Sequence, residues 1–201
     1  MLKVNTLEVS GFKGAILGMR NPLNSRSKCD SDFNNLKLGE KDLDLCKRLI
    51  KSGPDHRKFL RMIHVQADIV APLYLYKELD TYKVSTVCNS SSTMHTIHRK
   101  EFAIEDFSID HLLSLDSMKN LIDILNAYRE KYIETKEKQY WWQMIQLLPS
   151  SYNQLRTLDF NYETLMNVYK SRKDHKLDEW HVFCDWIRGL PYMNEFLEYY
   201  L

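Results

Sequence analysis

Ala71-Pro72-Leu73-Tyr74-Leu75-Tyr76-Lys77-Glu78-Leu79-Asp80-Thr81-Tyr82-Lys83 closes a run that begins at Phe59. Upstream of the proline, Ile63, Val65, Ile69 and Val70 are β-branched, which is the composition of a strand. Proline has no N–H for a ladder, so Ala71-Pro72 is predicted to interrupt the strand and a helix to follow, carrying Lys77 to Tyr82. Toward the N-terminus, Leu43, Cys46, Leu49 and Ile50 fall at helical spacing and Gly53-Pro54 supplies a stop, which predicts a helix over Lys41 to Ser52. Asn21 to Gly39 is polar and reads as a long loop with room for a helical turn. Leu2, Val4, Leu7 and Val9 alternate before Gly11, Gly14 and Gly18, which predicts an opening strand and then a loop.

Toward the C-terminus the chain turns polar after Ser92, and Phe102 to Asp110 reads as a connection. Helical periodicity returns from Leu112 to Leu148, where Leu121, Ile124, Leu125, Tyr128 and Tyr132 form a stripe that ends at Pro149. Asn161 to Arg172, Glu179 to Ile187 and Tyr192 to Leu201 supply further helix. There is no internal repeat and no low-complexity tract. The sum is an α+β fold, a sheet flanked by several helices, and the 201 residues fit one domain better than two.

Lys plus Arg (28) and Asp plus Glu (27) nearly cancel, so no global field draws the chain to nucleic acid or to an anionic membrane. The first residues are neither a signal peptide nor a transit sequence, and no apolar run reaches bilayer length. Cys29, Cys46, Cys88 and Cys184 lie far apart without CxxC spacing, which argues against a disulfide framework or a zinc knuckle. A cytoplasmic location is expected.

Two blocks resemble the flavin-dependent thymidylate synthases. Ala71 to Lys83 resembles the stretch leading into that family's signature, R-H-R-x-x-S-x-N-E-x-S, which falls without a gap on Thr81 to Ser91. The final Ser is identical, Lys83 keeps a positive charge and Thr86 keeps a hydroxyl. A shift of one residue pairs Asn89 with the family's Asn and Ser92 with its Ser. The second block runs from Leu148-Pro149-Ser150-Ser151-Tyr152 to Asn161 through Arg172, similar to a Leu-Pro turn followed by an Asn-initiated helix that ends in a nucleotide-binding Arg. The resemblance covers roughly Gly39 to Leu201.

It implies a homotetramer that binds FAD between subunits and methylates dUMP with a reduced flavin as hydride donor. Residue by residue, it implies nucleotide binding by Ser91 and Arg172, and cofactor binding by Tyr82, Lys83, Thr86, Asn89, Asn161 and Asn167. It also implies losses. Thr81, Tyr82 and Lys83 replace two arginines and a histidine, Asn89 replaces an acid, and Ile145 replaces the Arg before the Leu-Pro turn. Neither Lys nor Thr copies the planar fork of Arg, so flavin affinity and methylation are expected to fall. The rival reading is a non-catalytic interaction or regulatory protein that keeps only the fold.

Weaker candidates stand beside these. His95 and His98 are three apart but lack a third ligand, and a surface pair is the commoner arrangement, so no metal site is expected. Cys88 beside Asn89 and Ser91 reads as a reactive thiol or, more commonly, as a buried inert one. His175 and Lys176 follow Arg172 and suit a phosphate as well as a charged helix end. Tyr132, Tyr140, Trp141 and Trp142 suit a stacking platform, although aromatic residues at helical spacing are more often core or subunit interface.

Overall fold

The computed structural model describes residues 2–201. Its strands are β1 (Lys3–Ser10), β2 (His64–Pro72), β3 (Val87–Ser90) and β4 (Asn153–Asn161). Its helices are α1 (Phe12–Met19), α2 (Glu40–Lys51), α3 (Leu73–Leu79), α4 (Thr93–Thr96), α5 (Leu115–Thr135), α6 (Lys138–Leu147), α7 (Tyr162–Arg172), α8 (Asp178–Arg188) and α9 (Met193–Tyr200). The strands form one sheet in the order β1-β2-β4-β3, and the architecture is α+β as the sequence predicts. No described helix is long and apolar enough to cross a membrane.

The described residues gather into two compact units, the first 2–3, Ile69–Thr81 and Asn89–Thr157, the second Val4–Asp68, Tyr82–Cys88 and Leu158–Leu201. In the first, Pro72 ends β2 and starts α3 at the predicted place. The opening N–H groups of α3, on Leu73 and Tyr74, donate to the carbonyls of Tyr152 and Ser150 at 3.0 Å, which satisfies donors that the helix itself cannot. Ile97, Phe102, Phe107, Ile122, Leu125 and Met144 are its core. The long stripe from Leu112 to Leu148 is divided, because Lys136 takes a left-handed conformation (φ 59°) and turns the chain from α5 into α6.

In the second unit Phe12, Ala15 and Ile16 are buried at helical spacing, so the glycine-rich segment expected as a loop is α1 instead. Gly11 is required there: its φ is 88°, and a Cβ would stand 1.9 Å from the Met62 carbonyl oxygen. Tyr162 and Phe12 meet edge to face at 5.5 Å, and Tyr162 meets Phe196 of α9 at 6.4 Å. The predicted helices at 41–52, 161–172, 179–187 and 192–201 correspond to α2, α7, α8 and α9.

The polar segment from Asn21 to Gly39 is organised around one carboxylate. Asp42 is fully buried and accepts from Arg20 Nε at 2.5 Å, Cys29 Sγ at 3.1 Å, the Asp30 N–H at 3.0 Å and Ser31 Oγ at 2.6 Å. Burial pushes the Asp42 carboxyl up, but the hydrogen bonds from Ser31, Cys29 and Arg20 outweigh it, and its pKa stands below the usual value. A depressed carboxylate stabilises the fold above its unfolded pKa of about 3.9 and loses that contribution as pH falls through the folded value. Asp42→Ala is expected to cost about 3–5 kcal/mol at neutral pH, the range for breaking a buried ion pair. Denaturant titration should also show the gap between variant and parent closing below about pH 4.

Candidate functional site

The segment from Tyr82 to Cys88 is held by α7 at two places. Near the helix start, Thr164 Oγ1 donates to the Val84 carbonyl at 3.0 Å. At its end, Arg172 Nε donates to the Tyr82 hydroxyl at 3.0 Å. The Arg172 guanidinium carbon lies 4.9 Å from the centroid of the Trp180 ring and 5.6 Å from that of Tyr82. Trp180 is itself fully buried. A planar cation against two aromatic faces is fixed in orientation, which a helix-end arginine in solvent is not. Ser85, immediately after the Val84 attachment, has a φ of 55°, an uncommon conformation for a residue with a Cβ. The next hydroxyl, Thr86 Oγ1, is buried without a hydrogen-bond partner among the described residues.

Asn161 and Asn167 lie on the same helix with other engagements. Asn161 is 2% exposed, and its side-chain oxygen caps α7 by accepting from the Thr164 N–H at 2.8 Å. Asn167 accepts from the Tyr200 hydroxyl. Between them Glu163 binds both Arg57, at 3.0 Å, and Arg61. Burial pushes the Glu163 carboxyl up, yet the two arginines outweigh it and hold it below the usual range. Lys83 is exposed.

Ser91 and Asn89 belong to the first unit, where both are exposed. The Ser91 N–H donates to the Leu155 carbonyl at 2.9 Å, and its own carbonyl accepts from Gln154 Nε2 at 2.7 Å. Gln154 in turn accepts from Arg156 Nε at 2.9 Å. Arg156 also binds both oxygens of Asp80, at 2.9 and 3.1 Å, and lies 3.9 Å over the Tyr76 ring. One guanidinium thus fixes Asp80, just before Thr81, and through Gln154 fixes Ser91. No motif pointed to Arg156; its signal was a lone cation in a strand that the sequence did not reveal.

The remaining candidates are dispersed. Cys88 is exposed in β3, not buried. His175 Nδ1 accepts from the Leu177 N–H at 3.2 Å, and Lys176 is exposed. Trp141 donates to the Met94 carbonyl at 3.1 Å and packs with Tyr132 and Ile145 against the first unit's core. His98 is half-buried and His95 exposed, and among the described residues no three His, Cys, Asp or Glu side chains stand together as a metal set.

A flavin pyrophosphate needs several fixed donors. Of the six positions that the resemblance assigns to FAD, Asn161 and Asn167 are engaged in the cap and with Tyr200, Tyr82 accepts from Arg172, and Lys83 carries the only positive charge. Within this chain the set does not make a pyrophosphate cradle. The second unit has in addition a groove of about 1130 Å³ between the end of α1, α2 and residues 55–62, lined by none of the residues carried over from the resemblance.

Compared by sequence, the chain matches no protein-family model and no curated protein. Compared by structure, it is similar to thymidylate synthase X from Helicobacter pylori with FAD and dUMP, at a TM-score of 0.77 and 17% identity over 100% of this chain and 99% of that one. A second structure of the flavin-dependent H. pylori enzyme, complexed with the same two molecules, gives 0.75 and 16% over 97% of each chain. A UMP/dUMP methylase, PolB from Streptomyces cacaoi bound with 5-Br UMP, gives 0.68 and 12% over 99% of this chain and 95% of that one. The chain has the fold of the flavin-dependent thymidylate synthases.

Arg156→Met removes the ties to Asp80 and Gln154 while keeping a stem over Tyr76. It should cost about 1–3 kcal/mol, the range for bonds to charged groups and for partners left unpaired. Hydrogen exchange should speed up at the Ser91 N–H more than in α5.

Proposed function

We propose that this chain binds a pyrimidine nucleotide of the dUMP type through Arg172 of the second unit, and that methylation is weak or lost; Ser91 of the first unit is proposed as a nucleotide contact in its own right. The observation that carries the reading is the seating of Arg172 against Tyr82 and Trp180, in a fold whose solved relatives are complexes with dUMP, FAD or 5-Br UMP. A guanidinium held in plane against two rings is a positive charge of fixed position, which suits a nucleotide anion. The partnerless hydroxyl of Thr86 supports a polar ligand beside this segment, since buried hydroxyls are seldom left unsatisfied.

Loss of chemistry is argued from the replaced groups. Ile145 packs into an apolar cluster and cannot pair with a phosphate, and Tyr82 already accepts from Arg172. No hydride or methyl transfer is assigned to any side chain. If FAD binds, Lys83 is the cation that would meet its phosphates, and the flavin would supply the redox chemistry that no side chain can. The packing of Ile145 equally favours the rival reading, a protein that keeps the fold for interaction alone.

We further propose a homo-oligomer, a tetramer by analogy with the family's intersubunit flavin sites, in the cytoplasm. Light scattering should give four chains per particle, and a strict monomer across micromolar concentrations would refute it. Calorimetric titration with dUMP tests the main reading. Arg172→Lys should weaken binding by about 1.5–3 kcal/mol and also lower thermal stability, because Lys keeps neither the bond to Tyr82 nor the stacking on Trp180. Equal affinities, or no binding by the parent, would leave the fold as the surviving conclusion. Tritium release from 5-tritiated dUMP with FAD, NADPH and methylene-folate should be far slower than for an authentic flavin-dependent synthase.

A further inference from the structure

The groove in the second unit has an apolar floor that the core does not cover. In α2, Cys46 and Ile50 are buried, while Leu45 and Leu49, one turn apart beside them, remain half-buried and line the groove with Met19 and Met62. Met62 is 48% exposed, and its thioether lies along α1 beside Gly14 and Gly18, where a Cβ would stand in ordinary contact with its Cε at 3.5 Å and its Sδ at 3.6 Å. Flexible methionines beside leucines make an adaptable apolar surface. Contiguous exposed apolar surface in a concavity marks a binding site more often than chance.

Its rim has the opposite character. Lys28, Lys41 and Lys58 are all exposed around the opening, Arg48 is matched by Asp44 at 2.9 Å, and Asp55 is the one other acid. The chain as a whole carries a formal charge of only +1, so this excess of cations is a local feature. We propose that the groove is a second ligand site, for an amphipathic organic anion whose apolar body lies on Leu45, Leu49 and Met62 and whose carboxylate or phosphate reaches the lysines. A neutral apolar molecule would forgo the lysines and an apolar cation would be repelled by them. The site is independent of Arg172, and its test does not depend on nucleotide binding.

Decanoate, decanol and decylammonium share one chain and differ in head group, so calorimetric titration of each, below its micellar range, separates charge from apolar burial. The expected result is one decanoate per chain, decanol at least tenfold weaker and no decylammonium. 2-Naphthoate in a parallel arm distinguishes an aryl from an acyl body, and tight stoichiometric binding of either anion supports the proposal. Lys41→Glu/Lys58→Glu, which changes two exposed side chains, should weaken the anion at least tenfold while far-UV circular dichroism stays unchanged. Leu49→Asp should abolish binding. Decanol equal to decanoate, several molecules per chain, or full affinity in the lysine variant would overturn the proposal. Binding of an acidic amphipathic peptide by a protein that binds neither small anion would overturn it as well.

Discussion

Tyr162 stands where β4 becomes α7, and the second unit depends on how that one ring is held. It is fully buried, meets Phe12 and Phe196 edge to face, and donates from its hydroxyl to the Pro191 carbonyl at 2.8 Å. Its own N–H donates to the Ile63 carbonyl at 3.0 Å. Burial pushes the phenol pKa far up, so the ring stays neutral and its proton stays available to Pro191. Three segments distant in sequence are thereby registered to one residue, and the direction of α7 follows. Asn161, immediately before it, caps the same helix.

From that direction comes the placement of Thr164 and Arg172, the two points at which α7 grips the segment from Tyr82 to Cys88. Tyr82 thereby brings to this segment a phenol that receives Arg172. Glu163 lies in the first turn of α7, where a negative charge suits the helix dipole, and it gathers Arg57 and Arg61 against the same element. The helix acts as a rigid bar to which side chains from elsewhere are pinned.

How legible this was in the sequence depended on whether each element showed one apolar face. β2 did: Val65, Ala67, Ile69 and Ala71 are fully buried and alternate with more polar residues, so strand and stop could both be read. β4 did not. It buries Gln154 beside Leu158 and Phe160 and leaves Leu155 43% exposed, which conceals the alternation. β3 is exposed throughout and gives no pattern at all. α1 was hidden by Gly14 and Gly18, which lie inside the helix and not in a turn. Arg172 was found through its place in a familiar order of blocks, whereas Arg156 acts through Asp80 and Gln154, partners that become neighbours only once β4 is paired.

The contact between Arg172 and Trp180 has an optical side. Trp180 is fully buried and an indole is sensitive to a cation against its face, whereas Trp142 is 39% exposed and lies in the other unit. The chain thus carries a reporter at its own candidate site: any molecule that draws the guanidinium away from the ring changes the field on Trp180, while the other three tryptophans do not face Arg172.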